Sequence, residues 1–211
     1  MRKEDLLLYA VTDRRWTGRQ TLTEQIEAAL QGGATMIQLR EKDLPEEDFL
    51  AEAVRVRDLC RRYGVPLIIN DSVDVALNSG ADGVHVGAED MPPGEIRRLV
   101  PAGFIIGVTA KTVEQARAAQ TAGADYLGVG AVFPSSTKKN ALGITTRELR
   151  EICESVAIPA VAIGGVGPEN VLRLKGCGMV GIAVVSAVFG APDIRAAAEE
   201  LKKLAREAVE P

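Results

Sequence analysis

Two hydrophobic periods alternate along this chain. Short continuous apolar runs, at residues 6–11, 66–69, 104–108 and 159–163, are separated by stretches whose apolar residues recur at three- and four-residue spacing. Leu22-Ile26-Ala29-Leu30 and Phe49-Ala53-Val56-Leu59 are two such stretches, each the stripe of an amphipathic helix. A second set of runs follows a repeated phrase, Gly-Ala-x, at Gly33-Ala34-Thr35, Gly80-Ala81-Asp82 and Gly123-Ala124-Asp125, with a degenerate copy at Gly176-Cys177-Gly178. The copies are 47, 43 and 53 residues apart, and each glycine stands where a helix ends in the left-handed conformation before a strand begins. Interleaving the two sets predicts eight strands. Thr21 and Thr112 are placed to cap the helices after them, Asp71 or Ser72 to open a helix over 73–77, and a charged helix over about 194–208 to end the chain.

Strands that are apolar throughout, rather than alternating, belong to a parallel sheet covered by helices. Eight strand–helix units predict an α/β fold, a single-domain (β/α)8 TIM barrel spanning residues 1–211, at about 26 residues per unit. The competing open, doubly wound sheet lacks support, because no Gly-x-Gly-x-x-Gly follows the first strand.

Composition narrows the function. Hydrophobic residues make up 46% and charged residues 26%, and the net charge is −4 with no long basic run, which excludes a nucleic-acid surface. No run approaches membrane-spanning length, and the apolar run near the N-terminus is too short for a signal peptide, so a cytoplasmic protein is expected. The three cysteines are far apart, without metal-type spacing, and read as reduced thiols.

Chemistry-bearing residues cluster just after the predicted strands, where barrels bind ligands. After strand two, Gln38, Arg40 and Lys42 alternate in Gln38-Leu39-Arg40-Glu41-Lys42, so one strand face would carry an amide and two cations, a receptor for a diphosphate. Asn70-Asp71 follows strand three and Glu89-Asp90 follows strand four; the two aspartates, from neighbouring strands, form a hard-oxygen pair suited to Mg2+. For Asp71 the competing role is helix capping. Phe133-Pro134-Ser135-Ser136-Thr137-Lys138-Lys139 after strand six offers hydroxyls and lysines to phosphate, or a solvated loop. Gly164-Gly165-Val166-Gly167 and Val184-Val185-Ser186 fall after strands seven and eight, where barrels commonly hold a phosphate. His85, the single histidine, sits inside an apolar strand and reads as a hydrogen-bonded core residue. No Ser/His/Asp or Cys/His arrangement can be assembled, which disfavours nucleophilic catalysis. Two anion sites and a divalent metal at one mouth suit departure of diphosphate followed by capture of the resulting cation by a phosphorylated partner.

Taken in order, these pieces resemble the thiamine-phosphate synthase family: Tyr9-Ala10-Val11-Thr12-Asp13, Gln38 through Lys42, Asn70-Asp71, Gly83-Val84-His85-Val86-Gly87-Ala88-Glu89-Asp90-Met91-Pro92, Gly128-Val129-Gly130-Ala131-Val132-Phe133-Pro134, Thr137-Lys138-Lys139 and Ala162-Ile163-Gly164-Gly165. The resemblance implies condensation of 4-amino-2-methyl-5-(diphosphooxymethyl)pyrimidine with thiazole phosphate, or its carboxylated form, by Mg2+-assisted dissociative loss of diphosphate. It implies that Gln38, Arg40, Lys42, Asn70 and Lys138 hold the pyrimidine diphosphate, with Arg40, Lys42 and Lys138 the catalytic cations. Asp71 and Asp90 would bind Mg2+, and Ser135, Thr137, Gly165, Val185 and Ser186 the thiazole phosphate. Glu41, Ser136 and Thr109 complete the candidate substrate-binding set. The partners implied are two small molecules, with a homodimer plausible and neither nucleic acid nor membrane involved. The chain departs from the family at Gly107-Val108-Thr109-Ala110-Lys111, where the family usually has Ser, and a His two residues on. A thiazole tautomerase of the same superfamily is the alternative, disfavoured because it is expected to rely on a histidine acid/base.

Overall fold

The computed structural model describes residues 1–18, 20–134 and 143–210. Eight parallel strands close into a barrel in chain order: β1 (Leu8–Val11), β2 (Met36–Leu39), β3 (Leu67–Asn70), β4 (Gly83–Val86), β5 (Ile105–Ala110), β6 (Tyr126–Gly130), β7 (Ala160–Ile163) and β8 (Gly181–Val184). Closure is made by β1, whose Ala10 pairs with Ile37 of β2 on one side and Val184 of β8 on the other. The open-sheet alternative is thereby excluded.

Every strand is buried on both faces, and its alternate residues serve two cores. Outward residues such as Ile37, Leu39, Val84, Val86, Leu127 and Val129 pack under the helices. Inward residues, among them Tyr9, Met36, Ile68, Tyr126 and Val161, fill the barrel itself. Space for the inward Tyr126 comes from glycine: a Cβ on Gly107 would overlap the Tyr126 ring and stand 2.5 Å from His85 Nδ1.

Helices α1 (Leu22–Gln31), α2 (Glu46–Tyr63), α3 (Val73–Ser79), α4 (Pro93–Leu99), α5 (Val113–Thr121) and α6 (Thr146–Glu154) follow β1 to β6, and α7 (Ser186–Phe189) and α8 (Ile194–Val209) follow β8. The expected caps form. Thr21 Oγ1 accepts from Glu24 N–H at 3.2 Å while Glu24 returns the bond, and Thr112 caps α5. The seventh unit departs from the pattern, with only a single 3-10 turn at Val171–Leu174 between β7 and β8. Gly164, Gly165, Gly176 and Gly178, all with positive φ, and Pro168 punctuate this segment too closely for a longer helix. No described helix is long and apolar enough to cross a membrane.

The repeated Gly-Ala-x phrase proves to be a joint. Each glycine has positive φ (Gly33 +94°, Gly80 +68°, Gly123 +92°), and each alanine is buried. The third residue stitches its new strand to the start of the preceding one. Its N–H donates to a carbonyl there, at Leu8, Leu67 and Ile106 respectively. Its side chain accepts the N–H of the same residue: Leu8 to Thr35 Oγ1 at 2.8 Å, Leu67 to Asp82 Oδ2 at 2.8 Å, Ile106 to Asp125 Oδ2 at 2.7 Å. All three stitches lie at the N-terminal ends of the strands, leaving the opposite rim to the loops.

Candidate active site

Gln38, Arg40, Asn70, Thr109, Gly165, Val185 and Ser186 line one cavity at the C-terminal ends of the strands. The predicted alternation on β2 holds in part. Gln38 points inward, whereas the strand ends at Leu39, and Arg40 is carried by the loop beyond. That loop is fixed by Thr12, whose Oγ1 accepts from Arg40 N–H at 2.9 Å while its own N–H donates to the Gln38 carbonyl at 3.0 Å. Lys42 stands further out and meets Asp71, Nζ to Oδ2, at 4.0 Å.

Glu41 is not among the residues that line the cavity. Its side chain turns away from the cavity and is almost completely buried, with Oε2 accepting from Arg14 Nε at 2.7 Å, and Arg14 also holds Glu52. Glu41 lies beyond the end of β2, and its ion pair with Arg14, from the turn after β1, sets its direction. Burial pushes the Glu41 carboxyl upward against the pull of Arg14.

The acid pair forms. α3 is capped by Ser72, whose Oγ accepts from Val75 N–H at 3.2 Å, so Asp71 has no capping duty. Asp71 has φ +64°, the only positive value at a non-glycine among the described residues, and its N–H donates to the His85 carbonyl at 2.9 Å. Asp90 is held by the Gly87 N–H, which donates to Oδ2 at 2.7 Å. Burial and then the facing Asp90 carboxylate raise the Asp71 carboxyl above its ordinary value, with Lys42 opposing. Two acids pressed together by the backbone are the donor set expected of a divalent-cation site, and the donors fit Mg2+. Among the described residues no group of three or more His, Cys, Asp or Glu could hold a metal, so water and substrate oxygens would complete any shell around this pair.

Backbone dominates the opposite wall. Gly164 and Gly165 have φ +94° and +64°, and a Cβ on Gly165 would stand 2.7 Å from the Phe133 carbonyl oxygen. The loop after β7 therefore lies flush against the one after β6, with Phe133 N–H donating to the Gly164 carbonyl at 3.0 Å. Val185 and Ser186 open α7 beside it, where a helix's first N–H groups lack intrahelical partners. Ser135, Ser136, Thr137 and Lys138 lie outside the described residues.

Several cavity residues escaped sequence reasoning. Asp13 follows β1 and binds Arg15 at 2.6 Å, with Arg40 at 3.9 Å. The Arg15 hydrogen bonds hold its carboxyl below the usual range. Tyr9 and Lys111 also line the cavity. The signal available for Thr12 and Asp13 was their place directly after the first strand, the same position that marks the other sets. Lys111, which in sequence stands out only as a departure from the family, adds a cation to the wall beside Thr109. His85 is hydrogen-bonded as expected, to Tyr126 and Thr109.

A family model described as thiamine monophosphate synthase matches residues 8–188. The chain is 46% identical over 202 residues to the thiamine-phosphate synthase of Ruminiclostridium cellulolyticum, covering 96% of each chain. It is 47% identical over 200 residues to that of Clostridium beijerinckii, covering 95% of this chain and 96% of the relative. Among solved structures, thiamine phosphate pyrophosphorylase from Pyrococcus furiosus superposes with a TM-score of 0.91 at 43% identity, over 99% of both chains.

Proposed function

Because the chain belongs to the thiamine monophosphate synthase family, we infer that it condenses 4-amino-2-methyl-5-(diphosphooxymethyl)pyrimidine with thiazole phosphate to give thiamine phosphate and diphosphate. One observation supports the assignment to this site: an amide, cations and a glycine-rich backbone wall, drawn from the ends of several strands, line one cavity, and the Lys42–Asp71 contact follows directly on its lining residue Asn70.

Each group has a part in that reaction. The Gln38 amide and Asn70 orient the pyrimidine ring, and Arg40 and Lys42 draw the diphosphate toward the Asp71–Asp90 side. As the methylene C–O bond breaks, its electron pair leaves with the diphosphate, and the two cations stabilise the charge that develops there. Lys138 is assigned to the same task from its place in the sequence. Asp71 and Asp90 would hold Mg2+, which, when bound, neutralises diphosphate oxygens. Gly165, Val185 and Ser186, with Ser135, Ser136 and Thr137, take the thiazole phosphate, holding the thiazole nitrogen against the developing carbocation. Positioning supplies much of the acceleration, since no nucleophile or general base is required.

On this reading the enzyme works in the cytoplasm, with the two small molecules as its partners and a homodimer as its assembly. Purified protein with Mg2+ and both substrates should form thiamine phosphate and release diphosphate in equal amounts. Diphosphate release without thiamine phosphate, or neither product, would overturn the assignment.

A further inference from the structure

Beneath the cavity, five side chains from five strands are joined end to end. Gln38 Nε2 donates to Tyr9 Oη at 2.6 Å, and Tyr9 Oη meets Tyr126 Oη at 2.8 Å. Tyr126 Oη meets His85 Nδ1 at 3.0 Å, and His85 Nε2 meets Thr109 Oγ1 at 3.0 Å. Both tyrosines are fully buried, their rings packed edge to face at 5.9 Å, and Tyr126 fills the space that Gly107 leaves open. Burial raises both phenols well above their ordinary range, so each keeps its proton.

With Gln38 donating to Tyr9, counting protons gives the chain a direction. A hydroxyl has one proton to give. Tyr9 accepts from Gln38, so its own proton goes to Tyr126, and that of Tyr126 goes to His85 Nδ1. A neutral imidazole accepts at Nδ1 only when its proton sits on Nε2, which then donates to Thr109. Thr109 is left with its hydroxyl proton for the cavity it lines. At the other end, Gln38 keeps Oε1 and its second N–H for the cavity. Running the chain backwards demands a proton on Nδ1 and a Gln38 amide turned over. The tautomer of His85 and the orientation of Gln38 are thus one choice seen at two ends.

Resting on the condensation assigned above, we propose that Tyr9, Tyr126 and His85 are positioning residues that hold the Gln38 amide with Oε1 available to the ring, and so make the cavity specific for an amino group beside a ring nitrogen. A primary amide has one N–H on the same side as its oxygen; with the other given to Tyr9, Gln38 offers the cavity an acceptor and a donor side by side. That pair matches an aminopyrimidine edge, as glutamine matches adenine. A ring with an oxo group beside a ring N–H presents the reverse pattern and leaves both partners unpaired, the kind of mismatch by which polar sites reject analogues strongly.

The chain has a single histidine, so protein labelled with 15N in the imidazole reports on one ring. At neutral pH the wild type should show the neutral Nε2–H tautomer; an Nδ1–H ring overturns the proposal. Tyr126→Phe should lose the fixed tautomer and lower the preference for the 4-amino substrate over its 4-oxo analogue at least tenfold in kcat/KM. Unchanged discrimination in a folded Tyr126→Phe protein also overturns it. Should that variant fail to fold, the wild-type spectrum decides. A wild type that shows the expected tautomer yet forms no thiamine phosphate would sink the proposed function and the specificity built on it, while an Nδ1–H ring in an active enzyme would sink the specificity alone.

Discussion

Lys42 Nζ lies 4.0 Å from Asp71 Oδ2, which brings the cationic loop after β2 and the acid pair after β3 and β4 to the same rim. Had these groups stood at opposite ends of the barrel, no single diphosphate could meet both. The contact is weak as an ion pair, half open to solvent, and its value lies in placement rather than stability.

Asp71→Asn separates those roles. It relieves the repulsion from Asp90, and asparagine tolerates the left-handed backbone at this position. The metal-free variant should be the more stable protein at pH 7, by up to about 1 kcal/mol after solvent screening, or roughly 2–4 °C in Tm. Mg2+-dependent thiamine phosphate formation should fall by two orders of magnitude or more. Thermal melts and steady-state assays on the same preparation check both.

The sign of the pH dependence comes from the raised Asp71 carboxyl. The folded state holds that proton more tightly than the unfolded chain, whose aspartates titrate near about 3.9. Without Mg2+, the Asp71 contribution to stability is therefore fully present below that value and is lost as pH rises through the folded pKa. Mg2+ binds the ionised pair, so the stabilisation that it confers should grow across the same interval. Melting curves between about pH 4 and 7, with and without Mg2+, should diverge as pH rises, and in Asp90→Asn they should run together.

Glu41 supplies a test of placement. Because it is bound to Arg14 behind the loop, Glu41→Gln should leave KM for both substrates within about twofold, whereas Arg40→Ala should raise KM for the pyrimidine diphosphate or lower kcat by about 100-fold. A large KM effect from Glu41→Gln would restore it to the site.

Gly107→Ala drives a methyl group into the Tyr126 ring and against His85. Neither neighbour has room to move, so the cost should be about 3 kcal/mol or more, seen in urea unfolding.

The thiols should be quiet. Burial pushes Cys60 and Cys153 up to about 12 and also raises Cys177. An aromatic disulfide reagent should label the native protein slowly at mildly alkaline pH, and all three cysteines at once after unfolding.

Much of the fold was legible in the residues. Strand count and closure could be read from apolar runs recurring at the pace of the Gly-Ala-x phrase, because parallel strands buried on both faces have no polar alternation to blur them. Many residues of the cavity stand at the end of a strand or just after it, a position that can be read from the sequence. The hidden part depends on direction rather than position. Glu41 sits among cations in sequence but on the far side of the loop in space. Whether Asp71 or Ser72 caps α3 turns on one dihedral angle. Tyr9, Tyr126 and Thr109 are distant in sequence and meet only when the barrel closes, so no local pattern announces their hydrogen bonds.

The stitches at Thr35, Asp82 and Asp125 have a consequence for how the chain tolerates rearrangement. Each ties a strand to its predecessor within one strand–helix–strand segment, on the side away from the cavity. A polypeptide cut, or given new termini, in a rim-side loop such as that between β4 and α4 retains all three ties. The two fragments should reassociate into a working barrel, whereas a cut beside Asp82 should not be rescued by mixing.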